Sequence, residues 1–413
     1  MAESFSKTQR LFLSALAAGV KGKELCLTAE DASCTELSGL SALALAHKLL
    51  PLIFESVRRS PAAQSCARWQ SETKNAVIRQ VFVQTAASES LFQVTEALQK
   101  AGLRALCVKG ALCRSLYPSP DLRPSRDEDL LVHPDDFPAC CDTLAALGYS
   151  CGKNASPDSP VLTFTSGVSP LCIELHRSLF PEDSEVYGSF NGFFAEAFDR
   201  AETYKLGSRT LASLSPTDFL LYLILHAYKH FVHSGFGVRQ VCDIALWADR
   251  FSEQIDWERL FAKCRDVRAA VFAAAVFETG RKYLGICPRL GSGLATLHPD
   301  PAPLLSDLLS AGVYGSANED RLHSSPVTLA SVAADRSRKR ESLAPVIFPG
   351  VKRLSVRYPV LKSHAYLLPF CWIHRLASYG SKTVSARSRL KPGESLKIAR
   401  KRTELLRLYE IID

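Results

Sequence analysis

Apolar side chains recur at helical spacing through the first hundred residues, give way to short apolar runs, and then return to helical spacing. Leu11, Leu13, Leu16 and Ala17 follow the helical period, as do Val77, Val81, Ala86, Leu91, Val94 and Leu98. Pro61 suits an early helical position, so Ser60 to Gln64 reads as a linker or a helix start. From residue 101 the pattern changes to strand and helix in alternation. Leu103 to Val108 is a strand that ends in a Lys109-Gly110 turn, and Ala111 to Tyr117 is a short helix. Pro118, Pro120 and Pro124 then force a loop. Asp129 to Val132 predicts a strand, Asp135 to Leu147 a helix stopped by Gly148, and Val161 to Thr165 and Leu171 to Leu175 two further strands. Ser215 and Pro216 then open a new helix, as cap and first residue.

These switches divide the chain into a helical N-terminal region (1–100), an α/β core (101–180), a helical domain (181–290), and a linker with a basic C-terminal region (291–413). The expected fold class is α/β (α+β), a small mixed sheet flanked by helical regions. With 413 residues and 47% hydrophobic composition, the chain can build more than one real core. A net charge of +8 favours anionic ligands. The thirteen cysteines contain no C-x-x-C pair and no zinc-like spacing, which predicts reduced thiols and a cytoplasmic location. The first residues read as an amphipathic helix rather than a signal peptide, and no charge-free apolar run is long enough to predict a membrane span.

The segment Asp127-Glu128-Asp129-Leu130-Leu131-Val132 carries the most chemical information. Residues two apart on a strand share a face, so Asp127 and Asp129 project side by side next to a buried run. Taken alone, such a pair is more often a solvated acidic turn. A divalent ion gives paired carboxylates a purpose, because Mg²⁺ takes carboxylate and phosphate oxygens together. On the second strand Cys172, Glu174 and His176 share one face. Should the two strands be neighbours, three carboxylates converge, a set suited to metal-assisted phosphoryl or nucleotidyl transfer. Glu174 on a solvated edge strand is the competing expectation. Upstream, Gly110 permits close backbone approach, and the amides from Ala111 onward point to phosphate, with Lys109 as a supporting charge.

In order, Val108-Lys109-Gly110, Leu116-Tyr117-Pro118, Leu122-Arg123-Pro124, Asp127-Glu128-Asp129-Leu130-Leu131-Val132, Leu147-Gly148-Tyr149 and Ile173-Glu174-Leu175-His176 resemble the motifs of the uncharacterised bacterial nucleotidyltransferases of the DNA-polymerase-β-like superfamily. Leu214 to Asp218, His226 to His230, Arg239 with Asp243, Val313 to Ser316 and Leu367 to Trp372 extend the resemblance along most of the chain. The resemblance implies Asp127, Asp129 and Glu174 as catalytic and metal-binding residues, Mg²⁺ or Mn²⁺ as cofactor, and a nucleoside triphosphate as donor to an unidentified small-molecule, protein or RNA acceptor. Two positions depart from it: Arg126 replaces the usual glycine, and Glu128 replaces an apolar residue. Glu128 points to an exposed strand end or a decaying site, which keeps a catalytically silent nucleotide-binding or scaffold protein as the alternative.

The other candidates are weaker. Arg123 and Arg126 flank the carboxylates and match phosphate geometry. His176 is placed to orient Glu174 or touch substrate. His226, Lys229 and His230 lie at i, i+3 and i+4 on one helical face, where Lys229 is a phosphate-binding candidate and the histidines read as a wall facing the nucleotide. Arg239 and Asp243 read as an ion pair one helical turn apart. The basic runs Arg336 to Arg340 and Lys382 to Arg402 are either solvated faces or a footprint for RNA.

Overall fold

The computed structural model describes residues 5–125, 127–152, 159–312, 328–329, 331–333, 335, 350–354, 358–372, 374 and 392–413. Arg126, the 313–316 motif, the 336–340 basic run and residues 382–391 of the 382–402 run lie outside the described residues. The described chain falls into two units, Met1–Phe231 with Gly235–Ala317, and Val232–Ser234 with Asn318–Asp413.

The first unit begins with helices α1 (Lys7–Gly19), α2 (Cys34–Ala46), α3 (Leu50–Val57), α4 (Pro61–Ser65) and α5 (Ala67–Lys100). Capping boxes start α1 at Ser6 with Gln9 and α2 at Ser33 with Glu36, satisfying amides that the helix cannot satisfy itself. Leu11, Phe12, Leu13, Ala15 and Leu16 of α1 are buried. In the 34-residue α5 the spaced apolar positions Val77, Leu91, Val94 and Leu98 are buried with Trp69.

A disulfide joins Cys34 to Cys66 across a separation of 32 residues. This corrects the expectation of uniformly reduced thiols. Two cysteines so far apart in sequence meet only because α2 and α4 pack together, which no spacing rule reveals. Closing a loop of this size restricts the unfolded chain by about 3–4 kcal/mol in the chain-entropy treatment.

His47, at the end of α2, is fully buried with its ring tilted against Phe12 at 5.3 Å. Burial pushes its imidazole down to about 4; the Arg239 charge acts in the same sense and a backbone contact at Leu309 opposes it. The folded protein therefore keeps His47 neutral, whereas the unfolded chain protonates it near 6.5. Its contribution is fully present above the unfolded value and is lost as pH falls from there towards 4. Urea unfolding of wild type and His47→Phe should diverge over that window by about 3 kcal/mol, with wild type the more acid-sensitive. Parallel pH profiles would refute the assignment.

The core sheet contains β1 (Ala105–Cys107), β2 (Asp127–Val132), β3 (Ser150–Cys151), β4 (Val161–Thr165) and β5 (Cys172–His176), ordered β1-β2-β5-β4-β3. Only the central pair β2–β5 is parallel; the other pairs are antiparallel, so the sheet is mixed as expected. The short α6 (Ala111–Arg114) follows β1, and α7 (Phe137–Ala146) follows β2. Leu130, Leu131, Val132, Ile173 and Leu175 are buried at the centre of the sheet.

The 181–290 stretch is not wholly helical. A hairpin, β6 (Glu202–Leu206) and β7 (Arg209–Ser213), turns at Gly207, whose φ of +63° suits glycine. Then come α8 (Pro216–His233), α9 (Val238–Arg250), α10 (Trp257–Asp266) and α11 (Ala270–Thr279), with α12 (Ser292–Ala295) and α13 (Ala302–Ala311) completing this unit. The Ser215 hydroxyl accepts from the Asp218 amide, as its capping role predicts. Phe219, Tyr222, Tyr228, Trp247 and Phe272 form a dense aromatic core here.

In the second unit Leu354, Leu361 and Cys371 form a small cluster, with Tyr358, Leu367 and Trp372 packed against it. The helix Pro392–Leu408 carries the buried Arg402, whose guanidinium donates to the His233 carbonyl at 3.0 Å. No described helix is long and apolar enough to cross a membrane.

Candidate metal and nucleotide site

The parallel pairing of β2 with β5 sets Asp129 opposite Glu174 and Asp127 opposite Cys172. Because side chains alternate along a strand, Asp127, Asp129, Glu174 and His176 all rise from one face of the sheet. Asp129, Glu174 and His176 offer ligand atoms that lie within 4.8 Å of one another. Glu174 is thus in the centre of the sheet and not on a solvated edge. Asp127, one step nearer the start of β2, does not belong to this close group. The tight set is therefore two carboxylates and an imidazole, where the sequence pointed to three carboxylates.

Asp129 is buried, at 3% exposure, and its two oxygens face nitrogens of Lys109 and His176. Lys109 Nζ stands 2.7 Å from Oδ2, and His176 Nε2 stands 3.1 Å from Oδ1 and 3.7 Å from a Glu174 oxygen. Burial alone would raise the Asp129 carboxyl, but the Lys109 charge and the His176 hydrogen bond hold it well below the usual carboxylate range. For His176, burial acts downward, and the bonds to Asp129 and Glu174 prevail and raise it. The carboxylate is thus ionised and ready to take a cation, and Glu174, about a third exposed, opens the group to solvent. Two carboxylates beside an imidazole suit a divalent ion; the nitrogen donor suits Mn²⁺ at least as well as Mg²⁺.

The reverse face of β2 explains Glu128. Its side chain is 3% exposed and ion-paired with the buried Arg114. It also accepts from the Ala111 amide at 2.9 Å and from the Ser125 hydroxyl at 3.3 Å. A Cβ on Gly110, where φ is +44°, would lie 1.9 Å from a Glu128 oxygen. Glycine at 110 thus makes room for an internal carboxylate, and the Ala111 amide is already satisfied. This corrects the expectation that the Ala111 amide holds phosphate, and equally the expectation that Glu128 marks an exposed strand end.

Arg123 is also corrected. It is 2% exposed, with Nε 2.7 Å and an amino nitrogen 2.5 Å from the two oxygens of Asp243, which also accepts from the Tyr117 hydroxyl at 2.8 Å. Arg239 donates to the Pro124 carbonyl at 2.5 Å and does not pair with Asp243. Both arginines fasten the 117–124 loop to α9, so Arg123 is not available to clamp a triphosphate.

The α8 face contributes what the sequence only suggested. His226 is buried, its Nε2 3.3 Å from that of His230. Burial lowers the His226 imidazole well below its ordinary value, and the charges of Lys109, His230, Lys229 and His176 add to that effect. Lys229 is lowered by burial and by Lys109, while Asp129 and Glu174 act in the opposite sense. These mutual influences bring the α8 face within electrostatic reach of the Asp129 group.

A family model described as an uncharacterised nucleotidyltransferase matches residues 33–285 of the chain. No curated protein and no solved structure matches it.

Proposed function

The chain belongs to this nucleotidyltransferase family, and we propose that it transfers a nucleoside monophosphate from a triphosphate to an acceptor hydroxyl, releasing pyrophosphate. The observation that carries the reading is the convergence of Asp129, Glu174 and His176 from two hydrogen-bonded parallel strands. These three residues would hold a divalent ion, with Asp127 beside them on the same strand face. Such an ion supplies charge neutralisation on the phosphate oxygens and Lewis-acid activation of the transferred group. Glu174, the most exposed member, accepts the proton of the acceptor hydroxyl, whose oxygen forms a bond to the α-phosphorus as the bond to pyrophosphate breaks. Lys109 neutralises Asp129 and would supply its charge to a phosphate held beside that carboxylate. His176 orients both carboxylates.

The catalytically silent alternative drew its support from Arg126 and Glu128; Arg126 lies outside the described residues, and a Glu128 carboxylate paired internally with Arg114 provides none. Thermal unfolding with each nucleoside triphosphate should show stabilisation that requires Mg²⁺ or Mn²⁺ and nucleotide together. The absence of any shift with all four triphosphates would remove the basis for this reading.

A further inference from the structure

We propose that the α8 face formed by His226, Lys229 and His230, together with Lys109, is a polyphosphate subsite that grips the triphosphate through side chains rather than through a backbone cradle. The inference rests on the nucleotidyltransferase reading and specifies how its donor is held.

A triphosphate brings several negative charges that must meet donors or cations. The first amide after the Lys109-Gly110 turn donates to Glu128 on the reverse face of the sheet, so it is not offered to a ligand. Lysine and histidine side chains must supply what the turn does not. Lys229 is largely withdrawn from water, with its ammonium 6.0 Å from the centre of the Phe180 ring. It has no ion-pair partner among the described residues. Burial and the Lys109 charge disfavour its ammonium more than Asp129 and Glu174 support it, a deficit that an arriving anion offsets.

One turn of α8 places His226 and His230 on the same face as Lys229. Their Nε2 atoms stand 3.3 Å apart, within hydrogen-bond reach of each other. Beside an anion each ring has a reason to direct its own N–H outward to a phosphate oxygen. Lys109, whose charge acts on both His226 and Lys229, would add its ammonium to this set. Two lysines and two imidazoles would then meet the phosphate chain, and nothing in this set reads the base or the sugar.

The test is calorimetric titration of the full chain with inorganic tripolyphosphate, alone and with Mn²⁺. Wild type should bind it without a nucleoside, and Lys229→Met and the double variant His226→Gln/His230→Gln should each weaken binding by about 30-fold or more. Mn²⁺ affinity, read by electron paramagnetic resonance, should stay within about twofold of wild type in both variants. Equal tripolyphosphate binding by wild type and both variants would overturn the proposal. So would Zn²⁺ capture by the histidine pair that tripolyphosphate leaves unaffected. If tripolyphosphate binds as expected but no triphosphate is ever transferred, the subsite stands and the enzymatic reading falls.

Discussion

Asp129→Ala should reduce nucleotidyl transfer by about three orders of magnitude or more, the largest functional effect expected of any single substitution in this chain. Metal-assisted stabilisation of phosphoryl chemistry is worth several kcal/mol, and each 1.4 kcal/mol is tenfold in rate. Within the Asp129–Glu174–His176 group, Asp129 is the carboxylate approached at both oxygens, by Lys109 and His176, so its removal takes away the common partner of the group. The measurement is incorporation of α-labelled nucleoside triphosphate into a cell extract with Mg²⁺ or Mn²⁺, wild type against variant. Glu174→Gln should lose less metal affinity than Asp129→Ala but a comparable share of turnover, because it keeps its place while losing its basicity. Labelled product that persists in Asp129→Ala would place the chemistry elsewhere.

Glu128→Ala should produce the largest loss of stability, about 3–5 kcal/mol, because it strands Arg114 as an unpaired buried cation. The Ala111 amide and the Ser125 hydroxyl lose their acceptor at the same time. Urea unfolding measures the loss directly. The double substitution Glu128→Leu/Arg114→Leu should recover much of it, since it leaves no charge behind. A loss below about 1 kcal/mol would mean that the pair is solvated and that the account of the Gly110 turn is wrong.

These expectations differ in how far the sequence foretold them. Alternation along Asp127–Val132 and Cys172–His176 put the right side chains on the right faces, and the family motifs supplied the assumption that the two strands adjoin. Period-2 patterning reports which way a side chain points, but not its distance from a residue on another strand. That is why Asp127 was named with Asp129 and Glu174 while His176 was given a supporting role. The same limit hid Asp243, which looked settled with Arg239 one turn away but binds Arg123 120 residues upstream. Glu128 misled for a different reason. A charge at an inward strand position reads as a fault until its buried partner is seen, and Arg114 sits in a short helix where an arginine draws no notice. The β6–β7 hairpin escaped because Glu202 to Leu206 has little apolar content and only one half-buried face. The Cys34–Cys66 bond escaped because irregular spacing carries no pairing information.

The side-by-side run of β2 and β5 has a kinetic consequence. Parallel neighbours cannot be joined by a tight turn, and here α7, β3 and β4 intervene between them. Asp129 and Glu174 meet only after that whole excursion has closed, a late and non-local event in chain collapse. An ion that needs both carboxylates recognises only molecules that have completed it. Divalent ions would then pull refolding chains towards the finished state, and their uptake would time the moment at which the centre of the sheet locks.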